Sequence, residues 1–370
     1  KEERLSFLYT DTETAYTASD QAKDYEMPSI QKECVLDRKI EFFAISKENE
    51  RIFVLEKDTL AWADKGQILR ERTFDGKIRA LEYIKPHRML VVGYGNDKLA
   101  AFNDKGELLW DKTIVRIPTL YYSWELAYPQ IVSIRYVETK DGPYILTGAG
   151  DNQVRVHDLN GEVLRAFYIY ATVPDFLEFL DFDFDGEPEV LAAGKIDSAY
   201  GIFYTHTMDG VQKNAVRPGF WLNTIQSYRF VKEDNKYILV CGMKYSKNFM
   251  VLSTGKKGIK IELEKCLGGK VQAVEMHEDL NTVYAGTSKG FVMAFDRAGK
   301  SQWNANVRDG VKALYKRKDG LTVLCESGKI LVLSDEGRIL AQGSLPGKAG
   351  YVIKEKENIF VVCENAVYRI

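Results

Sequence analysis

The chain has 370 residues, 45% of them apolar and 28% charged, an ordinary composition for a globular protein long enough to form one large domain or two smaller ones. Its 51 Lys and Arg against 53 Asp and Glu give a net charge of -2, which removes the electrostatic case for a nucleic-acid partner. No apolar run approaches the ~18 residues of a membrane span. The five cysteines are scattered and form no CxxC, which argues against a zinc site or a disulfide framework.

The chain opens on residues 4–10, Arg-Leu-Ser-Phe-Leu-Tyr-Thr, which read as an isolated strand. Residues 11–38 are polar and irregular and are expected to wrap a surface. From residue 39 to 370 one pattern repeats: a short strand, a tight turn containing glycine, and another strand. The turn glycines are Gly66, Gly106, Gly161, Gly210, Gly258, Gly299 and Gly337, spaced 38 to 55 residues apart. Between them lie short alternating runs rich in β-branched and aromatic residues, enough for four strands, A to D, per repeat. In the second repeat these are expected at 77–83, 89–92, 98–102 and 107–113. Four strands per ~40–50 residues is the signature of a β-propeller. After Gly337 the chain supplies three more strands, 348–354, 358–363 and 366–370, and stops without a fourth. Pairing 4–10 with these three closes the ring and hides both edges. The expected fold is therefore all-β, one eight-bladed propeller domain, with a seven-bladed ring as the fallback should the first strand pack elsewhere.

In such a ring the D–A and B–C connections share one face, and A–B and C–D the other. The longest D–A link, 115–129, carries Tyr121, Tyr122, Trp124 and Tyr128. A later link carries Arg217, Phe220 and Trp221, and B–C loops add Tyr94, Tyr200 and Tyr245 beside Asp151, Asn152 and Lys244. Rings among Asp, Asn, Arg and Lys suit stacking on sugar faces with hydrogen bonds to hydroxyls, and suit protein interfaces equally. The competing reading is that these rings fill the space between long loops. The expectation is a carbohydrate or a partner protein on this face of a monomeric ring.

On the other face, Asp181-Phe-Asp183-Phe-Asp185-Gly186 followed by Glu189 sets alternate carboxylates around one point. That spacing suits a hard cation, and the expected ion is a structural calcium. The alternative is an acidic hairpin facing water with Phe182 and Phe184 packed inward.

Catalytic signals are sparse. His87 and His277 fall in or near A–B loops, and His157 and His206 beside C–D turns, so none is expected at the aromatic face. No GxSxG, Walker loop or HExxH occurs. An enzyme alternative, a polysaccharide lyase, would draw on Tyr121, Tyr122, Arg116 and Arg217.

Ala101-Phe-Asn-Asp-Lys-Gly-Glu-Leu-Leu-Trp110 and Ala294-Phe-Asp-Arg-Ala-Gly-Lys-Ser-Gln-Trp303 resemble the repeat of quinoprotein-type propellers. The resemblance implies that Trp110 and Trp303 dock between neighbouring blades; the other repeats place Leu69, Leu164, Leu340 or a polar residue there. The quinone-dependent dehydrogenases of that family use an adjacent Cys-Cys pair. None occurs here, so no quinone cofactor is expected. Non-enzymatic members of about this length include an envelope lipoprotein that assists outer-membrane protein assembly, which gives an envelope scaffold as a further alternative. The resemblance, a first residue that is not Met and the acidic loop together suggest a location outside the cytoplasm. The sequence thus reads as a non-catalytic binding or scaffold propeller.

Overall fold

The computed structural model describes residues 27–45, 50–64, 66–118, 128–170, 172–196, 203–216, 225–234, 236–243, 247–277, 279–318, 320–355 and 358–370. Their strands form eight antiparallel sheets of four, an eight-bladed β-propeller. The first blade is Ile40–Ile45, Glu50–Leu55, Thr59–Asp64 and Gln67–Thr73. The second is Ile78–Ile84, Met89–Tyr94, Lys98–Asn103 and Leu108–Thr113, within a residue or two of the positions expected from sequence.

The expected closure needs one correction of place. Val352–Glu355, Asn358–Cys363 and Ala366–Arg369 are the A, B and C strands of the eighth blade, and their fourth strand is Gln31–Val35. That strand falls within the stretch read from sequence as irregular; residues 4–10 lie outside the described residues. Gln31–Val35 is polar and half exposed, so hydropathy does not announce it. It is held by pairing instead. Gln31 lies opposite Arg369 and Val35 opposite Ala366. Arg369 meets Glu33 at 2.9 Å, and the Asn365 amide donates to the Leu36 carbonyl at 2.6 Å.

The C–D turn shows how the repeat is encoded. In five blades the turn starts with a short polar residue: Asn103, Asp158, Thr207, Asp296 or Ser334. The side-chain oxygen of each accepts the backbone N–H four residues on, as Asp158 does from Glu162 at 2.9 Å. Its carbonyl accepts from the turn glycine, 3.1 Å from Gly161 to Asp158. Asn, Asp, Ser and Thr make such local bonds, and the glycine supplies the positive φ that ends the turn. All seven turn glycines have φ between +74° and +85°.

The same glycines seat one blade on the next. A Cβ placed on Gly161 would lie 2.8 Å from the Trp110 ring, and one on Gly337 2.6 Å from Trp303. The two indoles also donate to the following blade, Trp110 to the Leu159 carbonyl at 2.8 Å and Trp303 to the Asp335 carbonyl at 2.6 Å. Elsewhere the preceding D strand offers Arg70 (with Trp62 of the same blade), Phe167, Asn214 or Leu263 to the glycine. Gly66 receives Cys34 of the closing strand, so the seat is made at seven of the eight blade interfaces, all but that between the seventh and eighth blades.

Between these seats the apolar faces of the blades pack in clusters rather than in one central core, for example Ile238, Val240, Phe249 and Val251 of the fifth blade against Val271, Val283 and Phe295 of the sixth. His157 and His206 occupy the C-strand place that Phe102 and Phe295 fill elsewhere, and both are buried. His157 contacts Thr147 Oγ1 at 2.9 Å, and His206 stacks on Phe167 with centroids 5.1 Å apart. Burial lowers the pKa of both to about 4.

Two predictions follow from this packing. Gly161→Ala meets both the Trp110 ring and an unfavourable φ, and should cost roughly 2–4 kcal/mol in denaturant unfolding. Gly186→Ala, where φ is +95° but nothing lies within 4 Å, should show only the backbone part. For the histidines, the folded pKa is depressed below the unfolded ~6.5, so stability is unaffected above that pH and falls as pH drops from ~6.5 toward 4, by up to roughly 3 kcal/mol per histidine. Melting temperatures measured across that range should flatten in His206→Phe, which restores the residue used by sister blades.

Candidate functional site

The D–A and B–C face begins at the well-defined ends of the strands. Arg155 and Asp151, both almost wholly buried, form a two-pronged ion pair, Nη1 to Oδ1 at 2.9 Å and Nη2 to Oδ2 at 2.5 Å. Arg155 Nη2 also donates to the Val115 carbonyl at 3.1 Å, and Asp151 Oδ2 accepts from the Ile117 amide at 3.3 Å. A buried pair of this kind holds its geometry because loss of either member strands the other charge. Here it clamps the root of the longest D–A link to the third blade. Asp151 and Asn152, read from sequence as face residues, are buried at 5% and 2% exposure, and Asp151 acts as footing for the loop.

Among the residues expected to meet a ligand, Tyr128 is 54% exposed and stands on this face. Tyr94 is buried; its ring packs 4.5 Å from Phe74 and its hydroxyl donates to Asp111 at 2.8 Å, so it serves the blade and is not offered for stacking. Burial and Asp111 raise its pKa. Tyr121, Tyr122, Trp124, Tyr200, Arg217, Phe220, Trp221 and Tyr245 lie outside the described residues. Two groups in the same D–A links add to the exposed surface: Val115 at 77% and Tyr170 at 39%. The Tyr170 carbonyl is held by Thr172 Oγ1 at 3.0 Å and by Tyr204 Oη at 3.2 Å.

The four histidines sit away from this face. His87 follows an A strand and contacts Tyr136 Oη at 3.1 Å; His277 pairs with Asp279 at 3.0 Å in another A–B connection. His157 and His206 lie at the C–D turns.

On the opposite face the acidic loop of the fourth blade joins Thr172–Leu180 to Glu189–Ile196. Phe184 has φ +59° and Gly186 φ +95°, which curl the backbone so that the carboxylates converge. Asp181, Asp183 and Glu189 bring oxygens within 4.8 Å of one another, while Phe182 packs inward as the hairpin alternative requires. Asp181 accepts from the amides of Asp185 and Gly186, both at 3.1 Å, and Glu189 from that of Phe182 at 2.8 Å.

The sequence reading missed the group at the centre. Lys213, on the D strand of the same blade, puts Nζ 2.8 Å from Asp183 and 2.7 Å from both Asp185 and Glu189. Those three carboxylates more than offset the cost of desolvation and raise its pKa, so it is charged at any ordinary pH. The oxygens fit a hard cation, and an ammonium already stands among them; calcium would have to displace it. Lys213 reaches Glu189 from the D strand across the single C strand Phe203–His206, a relation that only blade pairing reveals. Lys213→Met should therefore raise calcium affinity by about tenfold or more, read as a calcium-dependent rise in melting temperature, while the parent protein responds weakly. An equal response in both would sever the link between Lys213 and the site.

No protein-family profile matches this chain, and no curated protein matches it in sequence. Its fold is similar to that of solved propellers. The chain aligns with Sqt1 of Saccharomyces cerevisiae at TM-score 0.70 and 13% identity, over 93% of this chain and 100% of that one. It aligns with BamB of Moraxella catarrhalis at 0.66 and 13%, over 93% and 98%. Sqt1 of Chaetomium thermophilum, solved bound to the N-terminus of the ribosomal protein L10, aligns at 0.65 and 13%, over 91% and 99%. At these identities the likeness is one of architecture.

Proposed function

We propose that the chain is a non-catalytic binding scaffold that docks a protein partner on its D–A and B–C face. The observation that carries this reading is the set of exposed apolar and aromatic groups on that face: Val115 and Tyr128 on the link rooted by the buried Arg155–Asp151 pair, and Tyr170 on the next link, held by Thr172 and Tyr204. Rigid roots beneath exposed rings give contact area with little ordering cost. The peptide-bound Sqt1 supports the choice of partner by showing a similarly folded ring with a protein segment on it. Carbohydrate is the second reading, favoured by the aromatic content of the same links. We extend the proposal to a monomeric ring working as an envelope scaffold outside the cytoplasm, on the strength of the quinoprotein-type repeat.

A photo-crosslinking amino acid at Val115 or Tyr170 should yield protein adducts, whereas one at Asp141, on the opposite face, should not. Equal adducts from both faces would overturn the assignment of the face. Glycan-array binding that is lost in Tyr128→Ala or Trp124→Ala would replace the protein partner with a saccharide.

A further inference from the structure

The A strands line a central channel, and where they start, beneath the D–A links, it holds a cavity of about 590 Å³. Two tyrosines stand in its wall, Tyr228 in the A strand of the fifth blade and Tyr351 just ahead of that of the eighth. Both keep much of their surface open, 45% and 36%. Other rings hold each of them in place. Tyr228 meets Phe176 edge-on with centroids 4.6 Å apart, and its hydroxyl donates to Glu178 at 3.4 Å. Tyr351 meets Phe43 edge-on at 5.9 Å and Phe42 at 6.0 Å. The cavity thus offers rigid aromatic surface that needs no ordering before a ligand arrives.

The charges in the wall balance. Two carboxylates, Glu41 and Asp175, stand with two guanidinium groups, Arg79 at the rim and Arg135 at the deep end. Glu41 is answered by Lys39 at 2.9 Å, and Arg135 donates through Nη2 to Glu178 at 2.8 Å. Arg79 and Asp175 carry opposite signs. This pairing leaves hydrogen-bonding capacity unused. Arg79 Nε donates to the Gly95 carbonyl at 3.3 Å, and its two Nη groups have no hydrogen-bond partner among the described residues. Among those residues Arg135 bonds through Nη2 alone, and the Tyr351 hydroxyl has no partner.

A charged ligand entering this wall would leave a charge of its own sign unmatched, at a cost in desolvation. A ligand rich in hydroxyls would not, because each hydroxyl both donates and accepts and so meets guanidinium, carboxylate and phenol alike. Flat rings beside a few polar groups in a cavity of this size complete the requirements for a ligand with both apolar and hydroxylated faces. We propose that the cavity binds a neutral saccharide, stacked on Tyr351 or Tyr228 and hydrogen-bonded to Arg79 and Arg135. The site lies in the channel and not on the links, so it does not depend on the protein-docking reading above.

Calorimetric titration with four neutral disaccharides tests the site: maltose, cellobiose, lactose and N,N′-diacetylchitobiose. At least one should bind with a millimolar Kd or better. Counterparts of that sugar carrying a uronic acid or an amino sugar in place of one ring should bind about tenfold or more weakly. Tyr351→Ala should weaken the neutral sugar by about tenfold, and Asp141→Asn on the far face should not. In the parent protein the sugar should protect the amides of 79–81 and 351–353 from hydrogen exchange, a readout that survives even if Tyr351→Ala folds poorly. Four disaccharides without binding, equal binding of charged and neutral sugars, no protection of those segments, or an unchanged affinity in a folded Tyr351→Ala would each overturn the site. Binding lost in Tyr128→Ala but kept in Tyr351→Ala would overturn it too, by moving the sugar to the links. Crosslinking at Val115 reads the protein partner separately, so either proposal can fail while the other stands.

Discussion

The ring depends on one contact made seven times: a glycine at the C–D turn of one blade against a side chain or strand of the blade before it. The glycine is required twice over. Its φ near +80° ends a turn that joins two twisted strands, and its missing Cβ leaves the space that Trp110, Phe167, Leu263 or Trp303 enters. Turn and seat are thus the same atom's absence, and local and global demands agree at one residue. Because Cys34 of Gln31–Val35 takes the seat at Gly66, the interface between the eighth and first blades is made in the same way, by a strand far away in sequence.

A ring built this way frees its two faces for different uses. On one, a buried guanidinium–carboxylate pair roots the longest link, so exposed rings such as Tyr128 stand on rigid ground. On the other, an ammonium settles the repulsion among the carboxylates of a curled hairpin. Both are cases of buried or crowded charge satisfied from within the chain, and in both the matching partner comes from a neighbouring strand or turn of the same blade. The channel differs: its ion pairs join separate blades, Arg135 of the third with Glu178 of the fourth and Arg229 of the fifth with Glu275 of the sixth.

The fold was largely legible. Glycines recurring at blade spacing, and the Asn, Asp, Ser or Thr that starts five of the turns, are local features whose physical meaning does not depend on distant residues. The closing strand was legible as a need and not as a location, because Gln31–Val35 is polar and half exposed and its pairing with Ala366–Arg369 crosses nearly the whole chain. Tyr94 was read as a binding ring in a B–C loop; it ends the B strand, and its side chain turns inward to Phe74 and Asp111, a direction that its place in sequence does not encode.

By itself, then, the sequence determined the strand period, the turns, the number of blades and the convergence of Asp181, Asp183 and Glu189, since each follows from residues close along the chain. Tertiary structure alone decided that Lys213 stands among those carboxylates, that Asp151 roots a loop, and that Arg135 of the third blade meets Glu178 of the fourth. Those are electrostatic relations between strands, and charge acts through space, so which groups meet is set by the register of sheets and the closure of the ring.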